Sequence, residues 1–227
     1  GDFGYVSRRP DGGWCPQWSA YKRLQKLREE DPAVLAPLTG RRTYMTPGQS
    51  GVEGTGDFGR AYTLVFSPEG EVLHINRFHD TAWAPVEPRV TVRLMEQVKP
   101  GISFDLHESQ LMEDRFWLSA RTQADPENQK WEERAATETI AAIAASGATL
   151  AEDDDTHMPW FDQSEKAVFW LDANRRGEGL NLMDYASRHH GLAFGTEMGM
   201  YGSFDHRVGL ALITVKTAVA VFEERYR

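Results

Sequence analysis

The sequence predicts an α/β fold with a mixed central β-sheet flanked by helices, and three features carry that expectation. From residue 61 onward, short β-branched and aromatic runs alternate with longer amphipathic segments. Two of the short runs, Phe104-Asp105-Leu106-His107 and Ala193-Phe194-Gly195-Thr196-Glu197, stop at a side chain able to bind metal or carry protons. In open α/β sheets, ligands bind at the C-terminal ends of the strands. A length of 227 residues suits one large domain with a substantial core.

Taken in order, residues 1–60 are rich in glycine and proline and read as a loop-rich segment with one helix over 18–30. In that helix Tyr21, Leu24 and Leu27 recur at three-residue steps, Ser19 offers a cap, and Asp31-Pro32 ends the pattern. Residues 39–59 hold six glycines and little periodicity, which reads as a long loop. The second part, 61–227, reads as the α/β domain. Residues 61–66 form a strand closed by a Ser67-Pro68-Glu69-Gly70 turn, and Val72-Leu73-His74-Ile75 is a further apolar segment. An amphipathic helix is expected over 87–98, with Val90, Leu94 and Val98 at four-residue steps and Lys99-Pro100-Gly101 as its stop. Strands follow over 102–106 and 116–120. An alanine-rich helix covers 131–145 and ends at Gly147. A short helix over 182–190, a strand over 192–196 and a long helix over 205–225 complete the pattern. The last helix carries Val208, Ala211, Leu212, Val215, Ala218, Val219 and Phe222 on one face.

Composition removes several function classes. A net charge of -9 and a pI near 5.3 argue against a nucleic-acid partner, which needs a basic face. No apolar run is long enough to cross a bilayer; the best stretch, 208–222, is interrupted by Lys216. The single cysteine, Cys15, excludes an intramolecular disulfide framework and a cysteine-rich metal site, and it fits a reducing, cytoplasmic compartment. The chain begins at Gly1 rather than Met, which points to a processed chain or a piece of a longer one.

The chemistry-bearing candidates lie where apolar segments end. His107 follows a strand apolar enough to be buried, and histidine is the commonest zinc ligand. A histidine there can equally cap the strand by bonding a neighbouring carbonyl. Glu197 follows Leu192-Ala193-Phe194, an apolar setting that raises a carboxyl pKa toward the range of a general base; a surface glutamate paired with an arginine is the plainer alternative. Asn76-Arg77 offers a planar fork of donors and an extra amide for a carboxylate, although such a pair in a turn is usually just exposed.

The order Ile75-Asn76-Arg77, Glu87-Pro88-Arg89, Lys99-Pro100 and Phe104-Asp105-Leu106-His107 resembles the zinc carboxypeptidase superfamily, which includes succinylglutamate desuccinylase and aspartoacylase deacylases. Asp184-Tyr185-Ala186, Gly195-Thr196-Glu197 and Arg207-Val208 before a long helix resemble the family segment that bears the catalytic glutamate. The resemblance covers residues 70–110 and 180–225. It implies a zinc-carboxypeptidase-like fold in which His107 ligates zinc, Asn76 and Arg77 hold a substrate carboxylate, and Glu197 activates the zinc-bound water. Apart from the resemblance, Arg121 follows the expected strand 116–120 and could add a second carboxylate contact. The implied activity is zinc-dependent cleavage of an amide bond next to a free carboxylate, in a peptide or an N-acyl amino acid.

The chain departs from the pattern upstream. The family's first two zinc ligands come from a His-x-x-Glu motif, and none of the seven histidines is followed by an acidic residue at the third position. His74 stands where the family has an aspartate. The missing ligands are expected on a second chain or a removed segment. Behind that, off-pattern ligands such as Glu71, His74 and His157 stand level with a non-catalytic pseudoenzyme or binding subunit that retains the fold, which is the alternative function. The acidic run 152–155 reads as a solvated loop, and Trp160, Phe161, Phe169 and Trp170 as core or interface packing. No role is assigned to Tyr185 or Tyr201.

Overall fold

The computed structural model describes residues 26–39, 42–45, 62–66, 72–74, 76, 79–80, 84–109, 114–152, 162–171 and 180–227. For 42–45, 62–66, 72–74, 109 and 162–165 it describes the backbone alone. The chain divides into two compact units, Gly1–Val90 and Thr91–Arg227.

In the first unit, helical residues 26–30 run into Asp31, whose N–H donates to the Leu27 carbonyl at 2.8 Å. A short helix α1 (Pro32–Leu35) follows, then a 3-10 turn, Ala36–Leu38. Strands β1 (Arg42–Met45), β2 (Tyr62–Phe66) and β3 (Val72–His74) make an antiparallel three-stranded sheet in that order. Two points differ from expectation. Strand β1 lies in the stretch read as loop, where glycine-rich flanks hid the strand formers Thr43 and Tyr44. Among the described residues, the strand at 62–66 pairs with β1 on one side and with the strand at 72–74 on the other, and neither joins the larger sheet. Residues 18–25 and the Ser67–Gly70 turn lie outside the described residues.

Helix α2 (Val86–Val98) leads into the second unit. There β4 (Ile102–Ser109), β5 (Phe116–Arg121), β6 (Asp162–Glu165), β7 (Val168–Leu171) and β8 (Leu192–Gly199) form a mixed sheet in the order β4-β8-β5-β7-β6. The pairs β4–β8 and β5–β7 are parallel, while β8–β5 and β7–β6 are antiparallel. Helices α3 (Pro126–Ala145), α4 (Leu182–His189) and α5 (Phe204–Glu224) cover it. Helix α3 starts five residues before the expected position, because Asp125 caps it by accepting the Glu127 N–H and Pro126 suits its first turn.

Alternation along β8 sorts the helices onto two faces. Leu192, Phe194 and Met198 enter a core with Ala135, Ile140 and Ile143 of α3 and Leu210, Ala218 and Val221 of α5. Ala193 enters a second cluster with Met95 of α2 and Met183, Tyr185 and Ala186 of α4. The mixed sheet flanked by helices is therefore as the sequence predicts. Each fully buried phenylalanine here, such as Phe116, Phe169 or Phe194, contributes on the order of 2–3 kcal/mol.

Two helices turn differently from expectation. The buried seam of α5 is Leu210, Thr214, Ala218 and Val221, whereas Val208 and Leu212 are 39% and 50% exposed. This helix is apolar nearly all round, so periodicity alone cannot choose its inner face. On α2, Met95 is buried and Val92 packs beside it, leaving Val90, Leu94 and Val98 exposed. No helix among the described residues is long and apolar enough to cross a membrane.

The seam between β5 and β8 is split at one end. Pairing runs from Phe116↔Met198 to Ser119↔Gly195. The same register would set Arg121 opposite Ala193, but there the side chain of Glu132, from α3, replaces the ladder. Its Oε1 accepts the Arg121 N–H at 2.9 Å, and its Oε2 accepts the Ala193 N–H at 3.0 Å and the Gln123 amide at 3.2 Å.

Candidate functional site

Strands β4 and β8 lie parallel and in register, which sets His107 directly beside Glu197. The strand does not stop at the histidine, as the sequence suggested. It runs on through Glu108 and Ser109, which pair with Met198 and Gly199, so polar residues continue a ladder that the apolar run begins. Because side chains alternate along a strand, Asp105 and His107 share a face. Asp105 Oδ1 lies 2.9 Å from His107 Nε2, and Glu197 Oε1 lies 3.6 Å from Nδ1. The imidazole thus sits between two carboxylates, one at each nitrogen.

The backbone beneath the ring is also held. The His107 N–H donates to Thr196 Oγ1 at 3.2 Å, and that hydroxyl lies 3.3 Å from the His107 carbonyl, to which it donates. On the far side of Glu197, Trp117 is its partner across the β5–β8 ladder and packs edge-on against Phe169 at 4.7 Å. The opposite sheet face carries Glu108, which is ion-paired with Arg207 at the start of α5.

The electrostatics follow from this placement. Burial disfavours the charged imidazole, but the hydrogen bonds and negative charges of Asp105 and Glu197 outweigh it and push His107 up to about 10 from 6.5. The side chains of His107, Asp105 and Glu197 remain 39%, 20% and 27% exposed, so solvent reaches all three.

A catalytic zinc takes three protein ligands. Among the described residues no three His, Cys, Asp or Glu side chains gather to hold a metal ion. The reason is visible at His107: its two carboxylate neighbours lie at opposite ring nitrogens, so a metal at either one meets only one of them. The described residues do not by themselves make up a zinc site.

Arg121 stands at the other end of the sheet, four residues along β5 from Trp117, or roughly 13 Å at strand rise. It is 3% exposed. Its Nε donates to Asp184 Oδ1 at 2.7 Å and its Nη1 to Ser119 Oγ at 2.5 Å and the Ala120 carbonyl at 3.1 Å. Asp184, the third residue of α4, also closes the capping box that Asn181 opens. A substrate carboxylate at this guanidinium would compete with Asp184, already paired to it inside the fold.

Asn76 is half-buried in the first unit, and Arg77 lies outside the described residues, as do Glu71, His157 and the side chain of His74. Phe169 is a core residue, as expected, and Glu152 is exposed and pairs with Lys166 at 3.0 Å.

The sequence did not single out Glu132, which is fully buried. Burial pushes its carboxyl up to about 8 from 4.5, against the Arg121 and Ala193 N–H groups, the Arg121 charge and the Gln123 amide, which pull it down. A signal was present. Glu132 falls on the buried stripe Ala135, Ala136, Thr139, Ile140 and Ile143, where a charged residue needs a partner inside.

Comparison with protein-family models finds none that matches, and comparison with curated proteins finds no match. Among solved structures, the chain is similar to a protein from Shewanella denitrificans described as "a putative metallopeptidase", at 12% identity and a TM-score of 0.45. The match covers 96% of this chain and 95% of that chain. A likeness of this strength carries no argument about chemistry.

Proposed function

We propose that this chain is a hydrolase that cleaves an amide bond next to a free carboxylate, in a peptide or an N-acyl amino acid, with His107 and Glu197 at its centre. The observation that supports this reading is their convergence. Two segments far apart in sequence lie in register at the C-terminal ends of parallel strands, the edge where α/β sheets bind ligands. Both side chains are partly open to solvent.

In this reading Glu197 takes a proton from the attacking water and passes it to the leaving amine. Asn76 and Arg77 grip the substrate carboxylate. Arg121 is left out of the substrate site, because its guanidinium is already engaged with Asp184. Zinc is the proposed cofactor, with His107 as one ligand. The others are assigned to a second chain, or to residues such as Glu71, His74 and His157. The lone Cys15 favours the cytoplasm, and the acidic charge favours small substrates over nucleic acid.

A second reading is a non-catalytic binding subunit, which follows if the first two zinc ligands, absent from the sequence as a His-x-x-Glu motif, are supplied by nothing else. Metal analysis of the native complex decides between them. Stoichiometric zinc that is lost in His107→Ala is expected for the hydrolase; a native complex without metal leaves the binding subunit. Glu197→Gln should keep the zinc and abolish turnover, and unchanged turnover would remove Glu197 from the mechanism.

A further inference from the structure

We infer that Asp105 is a positioning residue, which fixes the His107 ring so that Nδ1, and not Nε2, faces Glu197. Asp105 precedes His107 by two residues on the same strand, so both side chains rise from one face without any loop between them. The Asp105 carboxylate takes the Nε2 side at 2.9 Å, a charge-assisted hydrogen-bond distance, while Glu197 stands off Nδ1 at 3.6 Å. Thr196 holds the backbone N–H and carbonyl of His107 from the neighbouring strand.

Thr196 holds only the backbone at its root, so the ring can still turn about the Cα–Cβ bond and about its own bond to Cβ. A half-turn about that bond would set a carbon-bound hydrogen against the Asp105 carboxylate where an N–H now stands. Asp105 therefore selects one ring orientation, and that orientation puts Nδ1 instead of a ring carbon on the Glu197 side. Histidines whose far nitrogen bonds a carboxylate are commonly oriented in this way, and the partner matters nearly as much as the histidine itself. Asp105 touches no substrate in this account; it acts through His107. The inference rests on the reading of His107 and Glu197 as the centre of the site.

The test uses the whole 15N-labelled chain, freed of metal by a chelator, with NMR detection of the His107 ring N–H groups. The wild type should show a low-field Nε2–H that exchanges slowly with water. In Asp105→Ala that signal should vanish into solvent exchange. In Asp105→Asn it should persist, because the amide oxygen still accepts. An unchanged Nε2–H in Asp105→Ala overturns the inference. So does a wild-type spectrum in which the protected proton sits on Nδ1 instead, a result that requires no variant to fold. Zinc analysis of the native complex separates the two levels. An ordered ring in a complex that holds no zinc sinks the hydrolase reading alone, while zinc with an unordered ring sinks the role of Asp105 alone.

Discussion

At one end of the seam between β5 and β8, backbone pairs with backbone, and the charged groups Asp105, His107 and Glu197 lie within reach of water. At the other end the ladder is interrupted, and Glu132, Arg121 and Asp184 are sealed inside. Both ends hold a titratable group whose pKa is raised, for opposite reasons. His107 rises because two carboxylates outweigh burial, whereas Glu132 rises because burial outweighs its donors. The contrast separates charge that can meet a substrate from charge that only holds strands in place. A perturbed pKa alone would not have told them apart; solvent access does.

The largest expected effect lies at the sealed end. Glu132→Ala leaves the Arg121 and Ala193 N–H groups and the Gln123 amide without their acceptor inside the fold, and should lower unfolding free energy by about 3 kcal/mol. Urea denaturation measures this, and a loss below about 1 kcal/mol would mean that the strands close up and restore their own ladder. Next in size is the pH dependence of stability in chelator-treated protein. Glu132 has a raised folded-state pKa, so its contribution is full below about 4.5 and is lost as pH rises through about 8. Glu132→Gln should flatten that fall. His107 is raised as well, so its contribution is full below about 6.5 and is lost as pH rises through about 10, with a smaller amplitude because solvent screens it. Thermal melts across pH 5–10, roughly the span of these shifts, should show two windows, each removed by its own variant. The smallest effect is that of His107→Ala on stability near neutral pH, less than about 1 kcal/mol for a partly exposed pair. A larger loss would make the open end structural too.

Much of the second unit was legible because its elements are strongly patterned. The runs at 102–106 and 192–196, the helices at 87–98 and 131–145, and the long C-terminal helix all appear within a few residues of their expected places. Strand β6 was not, since Asp162-Gln163-Ser164-Glu165 carries no apolar period and owes its conformation to pairing with β7. For β7, the aromatic run was read as packing, which is correct for Phe169 but omits the strand that presents it. The inner faces of α2 and α5 were misjudged where apolar residues occupy more than one side.

For the site, sequence could bring out His107 and Glu197 one at a time, each with a plausible bland role. Their adjacency is a matter of strand order, because nothing local in either segment says that β4 and β8 are neighbours. The partnership of Asp105 was written in the two-residue spacing. That of Glu132 needed the spatial gap at Arg121 and Ala193, which no single segment contains.

The β4–β8 pairing also sets a timetable for synthesis. Among the described residues β8 is the only strand beside β4, yet Glu197 leaves the ribosome 90 residues after His107. At usual translation rates that is a delay of roughly 5 to 20 seconds. Throughout it, β4 offers an open edge, the kind of surface on which unfinished chains associate and chaperones act. A nascent chain arrested before residue 192 would carry the histidine and its aspartate with no glutamate opposite, so His107 and Glu197 can meet only after β8 has been made.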